Sequence, residues 1–308
     1  MGKTDIKARL FDEKTITVDM FGFAFYRDFK YKVVTHARVF VLKPKFEITE
    51  NQGLFLTNSL HFINQKFGYE NMCSWTKMKD YKIQLPTKNS EIDFEYMESF
   101  IAELEADRIA QLDTYLVAAG LKNYTLTTKE LEILADFENG KIKFGEFNLE
   151  KLFGKSTRGR RLKSEDRVSG TLPFVTAGET DEGISAFISN DVIIFSENTT
   201  TIDMFGSAKF RNYKYGGDDH IAVVHTESLT RFASIFVTTA IHKTSYNGQF
   251  NYGRNFYAKD ADELNISLPI LDNQPDYKLM ETLISAIQKL IVKNVVGYVE
   301  GKKVNINV

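Results

Sequence analysis

One phrase is written twice in this chain. Residues 17–31 read TVDMFGFAFYRDFKY and residues 201–215 read TIDMFGSAKFRNYKY, with nine of fifteen positions identical and four more close swaps. The copies lie 184 residues apart. A solenoid repeat is only about 20–50 residues long, so a period of this size means a duplicated domain. The match continues in order. LFLTNSLH (54–61) answers IFVTTAIH (235–242), YKIQLP (81–86) answers LNISLP (264–269), and IDFEYMESFIAEL (92–104) answers PDYKLMETLISAI (275–287).

Each copy is expected to close with a long helix. Asp93 and Asp276 stand where an N-cap carboxylate would accept the first free amides. Met97, Ile101 and Leu104 follow Phe94 at steps of three and four, and Met280, Ile284, Ile287 and Ile291 follow Tyr277 in the same way. Two matched stripes of this kind predict helices over 92–119 and 275–298 that pair along a shared seam. Between the copies, Thr127 and Glu130 form a capping box opening a short helix that ends near Gly140. The runs 191–195, 221–225 and 234–238, rich in β-branched and aromatic residues, read as strands. The expected fold is therefore mixed α/β: two repeated globules, each followed by a long helix, the two helices packed antiparallel as a coiled-coil-like spacer.

The second copy is preceded by a connected segment from about Phe147, whereas only sixteen residues precede Thr17. Two full repeats of about 183 residues would take about 366, against 308 present. The first globule is expected to lack its front. Expected boundaries are 1–90 for this partial globule, 91–145 for a central helical region, 146–272 for the complete second globule and 273–308 for the distal helix and tail.

Several classes are excluded or weakened by what the chain does not contain. A single cysteine, Cys73, leaves no internal disulfide framework and fits a reducing cytoplasm. The formal charge of −2 argues against a nonspecific polyanion binder, although a local basic face remains open. No G-x-x-x-x-G-K-[ST] phosphate loop occurs, and no Asn-Pro-Pro-Tyr methyltransferase motif. Pro275-Asp276 with Glu300-Gly301-Lys302 superficially fits a nuclease pattern, but Asp276 opens a helix where that pattern needs strands. The five histidines (36, 61, 220, 225, 242) show no zinc spacing, and His61 and His242, at equivalent repeat positions, read as structural. No apolar run long enough to span a membrane is expected.

With the duplicated T-[VI]-D-M-F-G segments, the stretch GRRLKSEDRVSGTLPFVTAGETDEGISAFI (159–188) and the stretch IQLPTKNSEIDFEYMESFIAELEADRIAQL (83–112), the chain resembles the DNA-specificity (S) subunits of type I restriction-modification systems and their BcgI-like relatives. The resemblance implies two target-recognition domains, each followed by a conserved helix. It also implies a noncatalytic subunit that reads part of a bipartite DNA target and positions methyltransferase and restriction subunits. Implied partners are double-stranded DNA, methyltransferase (M) subunits, a restriction (R) subunit and, optionally, a second copy of the chain. S-adenosylmethionine, ATP and Mg²⁺ would reside on those partners, with no cofactor or metal on this chain and no membrane. A self-contained nuclease or methylase component, or a scaffold without DNA binding, is the alternative.

Three groups of residues are candidates for touching DNA. KSTRGRRLK holds Lys155, Arg158, Arg160, Arg161 and Lys163 without an acid, a composition suited to phosphates, or else a solvated loop balanced by Glu165 and Asp166. HKTSYNGQFNYGRN (242–255) offers Lys243, Ser245, Tyr246, Asn247, Arg254 and Asn255, donors and acceptors of the kind that read base edges, or else a plain tyrosine-glycine hairpin. Lys209, Arg211 and Lys214 follow the repeated phrase; Arg211 and Lys214 recur as Arg27 and Lys30, so they are either architectural or phosphate-binding. Within the phrase, Met204 and Phe205 are expected in a core, Gly206 in a turn and Asp203 as a turn carboxylate.

Overall fold

The computed structural model describes residues 7–33 and 38–306, with side chains through 304; His36 lies outside the described residues. The chain divides into two compact units, one of residues 1–119 with 297–308 and one of 120–296.

The first unit begins with five short strands: β1 (Leu10–Phe11), β2 (Thr15–Asp19), β3 (Ala24–Arg27), β4 (Tyr31–Lys32) and β5 (Val39–Leu42). Helix α1 (Glu50–Ser59) and the short α2 (Trp75–Met78) follow. A small hairpin, β6 (Thr87–Lys88) with β7 (Glu91–Ile92), then leads into α3 (Phe94–Ala118). The main sheet runs β3-β2-β5, while β1 pairs with β4. Its core joins Ile16, Val18, Leu56, Leu60, Ile63, Met78 and Met97. Helix α1 starts at a full capping box, Thr49 with Gln52. It lies close to the sheet because Gly53 has no side chain; a Cβ there would come within 2.2 Å of the Tyr26 ring.

The second unit opens with α4 (Thr128–Glu138), β8 (Phe144–Asn148) and α5 (Leu149–Phe153). Strands β9 (Thr157–Arg158), β10 (Ser169–Val175), β11 (Ile184–Ile188) and β12 (Ile194–Phe195) follow. Next come β13 (Thr199–Asp203), β14 (Ala208–Arg211), β15 (Tyr215–Gly217) and β16 (Ile221–Val224). The chain continues through α6 (Arg231–Ser245), α7 (Ala258–Glu263), β17 (Asn265–Leu271) and β18 (Gln274–Pro275) to α8 (Tyr277–Ile306). The sheets run β14-β13-β16-β9, β11-β10-β15-β12 and β18-β17-β8.

The repeated phrase turns out to encode one local device. In each unit it forms an antiparallel hairpin, β2–β3 and β13–β14. Asp19 Oδ1 accepts the amides of Phe21 and Phe23, both at 2.9 Å. Asp203 Oδ1 accepts those of Phe205 and Ser207, at 2.9 and 3.0 Å. The turn closes on a glycine with φ of +85° at Gly22 and +86° at Gly206, a conformation other residues rarely adopt. The hairpin before each long helix is duplicated too. Asn89-Ser90 and Asp272-Asn273 both carry positive φ, as a type I′ turn requires.

Both long helices begin where the capping argument puts them, with Asp93 accepting from the Tyr96 amide and Asp276 from that of Leu279. Helix α8 runs to Ile306, beyond the expected 298. The Thr127–Glu130 capping box is present, and α4 ends just before Gly140 at φ +66°. Helix α8 is also long and apolar enough to cross a membrane, with mean hydropathy 1.2 over its best window. Of that window 28% is buried.

Two expectations are corrected. The run 234–238 lies inside α6, not in a strand. Its buried positions Ala233, Ser234, Val237, Thr238, Ile241 and Ser245 follow helical spacing, and packing overrides the β-preference of Ile, Val and Thr. Met204 and Phe205 are half-buried rather than core. The residues proposed for the helix seam have these places: Met97 packs in the first core and Met280 in the second. Ile101 is half-buried and Leu104 exposed; Ile284 and Ile287 line an apolar groove of the second unit, and Ile291 is exposed.

Candidate nucleic-acid interface

The basic segment of the second unit is pinned at its centre and free at its side chains. Strand β9 pairs Arg158 with Ala222 and Thr157 with Val223. Gly159 then presses against the backbone of Gly217, where a Cβ would lie 1.6 Å from the carbonyl oxygen. The Arg160 amide donates to that same oxygen at 3.1 Å. Only glycine fits this approach, and the approach fixes where the flanking arginines leave the sheet. Lys155, Arg158, Arg160, Arg161 and Lys163 all project as exposed side chains. Arg161 and Lys163 border an open polar recess of about 480 Å³ shared with Arg167, Asp218 and His220. Lys163 also lies 3.8 Å from Glu165, an exposed pair that holds it weakly.

Arg167, not singled out by the sequence, is a brace. It donates to the Leu162 carbonyl and to Ser185, and its guanidinium sits 5.2 Å from the Phe174 ring centre. Beside it, Asp218, Asp219 and His220 gather their ligand atoms within 4.8 Å of one another. Burial, reinforced by the neighbouring Asp219, holds the Asp218 carboxyl above its usual range. Their spacing of one residue gave no signal, because acidic runs in turns are common.

The second candidate segment is divided by depth. Tyr246 and Asn247 are exposed, Lys243 and Arg254 are exposed, and Asn255 is half-buried with a shielded Oδ1 that has no hydrogen-bond partner. Tyr252, in the same stretch, is 85% exposed. Ser245 is a correction. It is fully buried and donates to the carbonyls of Gly206 and Ile241, at 2.6 and 2.8 Å, so its hydroxyl ties α6 to the Asp203 turn.

The third group is corrected at two of three positions. Arg211 is 1% exposed, with donors to Thr201 Oγ1, Tyr213 Oη and the Glu182 carbonyl at 2.8–2.9 Å. A guanidinium so buried and so engaged is architectural and lies out of reach of a phosphate. Lys209 is largely buried, 3.2 Å from Glu179 and hydrogen-bonded to Ser207. Lys214 stays exposed. The histidine expectation holds in one copy: His242 Nδ1 accepts the Ala208 amide at 3.1 Å, whereas His61 is exposed.

The remaining exposed set is thus mostly basic or amide-bearing, and it belongs to a unit that the chain contains twice in part. The profile of the type I restriction modification DNA specificity domain matches residues 2–114 and again 141–296, one match per repeat. The chain belongs to this DNA-specificity family. Among curated relatives, the specificity subunit S.BcgI of a type II restriction enzyme from Heyndrickxia coagulans is 23% identical over 267 residues, covering 85% of this chain and 74% of its own length. The crystal structure of a type I restriction-modification S subunit from M. genitalium has the same fold. Its TM-score is 0.59 at 15% identity, covering 99% of this chain and 82% of that one. The recurring unit is a mixed α/β globule followed by a long helix in each copy.

Proposed function

We propose that this chain is the noncatalytic, sequence-reading subunit of a cytoplasmic restriction-modification complex. It reads part of a bipartite duplex target, through the complete second repeat. Methyltransferase and restriction subunits docked on it supply catalysis, with S-adenosylmethionine, Mg²⁺ and ATP bound on them. The observation that carries this reading is the duplication itself: a recognition unit repeated on one chain suits a two-part site, because half-site geometry mirrors protein geometry. The exposed Arg158, at the end of β9, and Arg160 and Arg161, just past the Gly159 contact, suit phosphate contacts. Lys155 and Lys163 belong to the same basic segment, and Lys214 is a further exposed cation of the second unit. Lys243, Tyr246, Asn247, Arg254 and Asn255 are the residues of the second unit best suited to base edges.

The test uses the full chain with its methyltransferase partner on selected duplexes. Changing Arg158, Arg160 and Arg161 together to Ala is expected to weaken binding on every sequence. The salt slope should fall by up to about 0.9 per lost phosphate contact. Asn247→Ala or Arg254→Ala is expected to relax preference at individual base pairs, by about 1–3 kcal/mol where a bidentate pair is lost. Cleavage or methylation of DNA by this chain alone, with Mg²⁺ and S-adenosylmethionine, would overturn the noncatalytic assignment.

A further inference from the structure

Outside the repeated phrase, one more feature occurs at the same place in both units. The connection from α1 to α2 and that from α6 to α7 each contain a tight hairpin tipped by a tyrosine. Gly68 and Asn71 exchange both backbone hydrogen bonds, at 3.2 Å, around Tyr69-Glu70. Asn251 and Arg254 exchange both, at 3.0 Å, around Tyr252-Gly253. Two residues past each hairpin the chain returns to the phrase. The Cys73 amide donates to the Met20 carbonyl at 2.6 Å, and the Phe256 amide to that of Met204 at 2.9 Å. Each tyrosine then meets the phenylalanine of the phrase edge to face. Tyr69 lies 5.0 Å from Phe21 at 74°, and Tyr252 lies 5.2 Å from Phe205 at 83°.

The hairpins are fastened, yet their tips face water. Asn251 Oδ1 accepts the Gly253 amide at 2.8 Å, while Lys77 Nζ donates to Asn71 Oδ1 and to the Met72 carbonyl at 2.7 and 2.8 Å. Tyr69 is nonetheless 79% exposed and Tyr252 85%, and neither hydroxyl has a hydrogen-bond partner among the described residues. A side chain held on such a stalk makes an outside contact at little cost in ordering. The surroundings are positive in both units. His61 to Lys79 holds Lys66, Lys77 and Lys79 against Glu70 alone, and His242 to Lys259 holds Lys243, Arg254 and Lys259 with no acid. All six cations are exposed, on a chain whose formal charge is −2. A local field of this sign draws a polyanion to the two tips.

We propose that Tyr69 and Tyr252 are a matched pair of DNA-backbone contacts, each donating its hydroxyl to a phosphate oxygen of duplex DNA. This rests on the DNA-reading proposal above and goes beyond it, because it gives the first unit a contact of its own. A device repeated in both units suits the part of the duplex that is alike at every base pair, the sugar–phosphate backbone, where tyrosine hydroxyls fix register and orientation. The position two residues after the tyrosine differs, Asn71 in one hairpin and Arg254 in the other, as a reader of sequence would. The first unit thereby holds the duplex without reading it.

The full-length chain with its methyltransferase partner is titrated with a random-sequence duplex pool across a salt series, as unaltered protein, Tyr69→Phe and Tyr252→Phe. Each substitution removes one hydroxyl and leaves the ring in place, so melting temperatures should match. Each is expected to weaken binding about three- to tenfold on every duplex, the loss of one charge-assisted hydrogen bond. The sequences selected from the pool should not change. Nor should the salt slope, because no cation is removed, in contrast to the triple arginine variant. The proposal is overturned by unchanged affinity at either position or by a loss confined to particular base pairs. A lowered melting temperature overturns it too, by showing that the hydroxyl serves the fold. Unaltered protein that binds no duplex would sink the DNA-reading proposal and this one together. Unaltered protein that binds, with variants that bind equally well, sinks this one alone.

Discussion

At Arg27 and Arg211 one residue in one repeated phrase meets two surroundings. Both guanidinium groups donate Nε–H to the strand threonine that opens the phrase, at 3.1 and 2.9 Å. Arg211 then disappears beneath the β10–β11 connection, while Arg27 stays half-exposed over the Phe25 ring. The hairpin specifies its own hydrogen bonds, but depth comes from what another stretch of chain lays on top. A local motif is therefore a poor guide to whether its charges are surface contacts or buried braces.

The largest expected asymmetry lies at this pair. Arg211→Ala strands Tyr213, Thr201 and the Glu182 carbonyl in a buried site and should destabilise the second unit by about 3 kcal/mol or more. Arg27→Ala should cost under about 1 kcal/mol. Denaturant unfolding combined with unit-resolved hydrogen exchange measures both; equal losses would break the comparison.

Next come the turn glycines. Alanine at either position is strained by its positive φ, at about 1 kcal/mol. At Gly206 the new Cβ would also lie 2.3 Å from the Ser245 carbonyl oxygen, against 3.0 Å from Ile63 at Gly22. Gly206→Ala is expected to cost about 3 kcal/mol and Gly22→Ala about 1–2 kcal/mol, read from the same unfolding curves.

A smaller effect sets the second unit apart in acid. Burial disfavours the Glu130 carboxylate, but Lys289 at 2.8 Å, the Thr127 amide and hydroxyl, and Ser285 outweigh it and bring its pKa down to about 2. The ordinary glutamate value is about 4.3. A depressed carboxylate contributes stability that is complete above its unfolded value and lost as pH falls through its folded one. The second unit should therefore weaken progressively from about pH 4.5 toward pH 2, by about 2 kcal/mol from this group. Glu130→Gln should remove that part of the slope and leave the first unit, which has no counterpart of α4 among the described residues, unchanged. An acid titration of the melting temperature decides it.

Much of the candidate site was legible, and the misses share one cause. The capping residues Asp93, Asp276 and Thr127, the turn carboxylates and Gly206 act on amides within four residues, so spacing alone reveals them. The exposed arginines of 155–163 were legible because a run of basic and small polar residues with no acid leaves little apolar matter to bury. Ser245 and Arg211 were misplaced because composition records a hydroxyl and a charge but not their depth. Helix α6 was missed at Ser234–Thr238 because a five-residue β-branched run was weighed without the helical stripe continuing through Ile241 and Ser245.

The sequence by itself determined the duplication, the Asp–Gly hairpin in each copy, the starts of both long helices and the family these features point to. All are written in short-range hydrogen bonds or in a long exact recurrence. Tertiary structure alone decided which copy of each matched residue is covered. It made Tyr215, Ile221 and Val223 a core while Tyr31, Val39 and Val41 remain a surface, and it joined Glu130 to Lys289 across 159 residues. The reason is that burial depends on which distant segment arrives. The repeated phrase contains no trace of the strands between Thr157 and Ile188 that, among the described residues, arrive on one copy only.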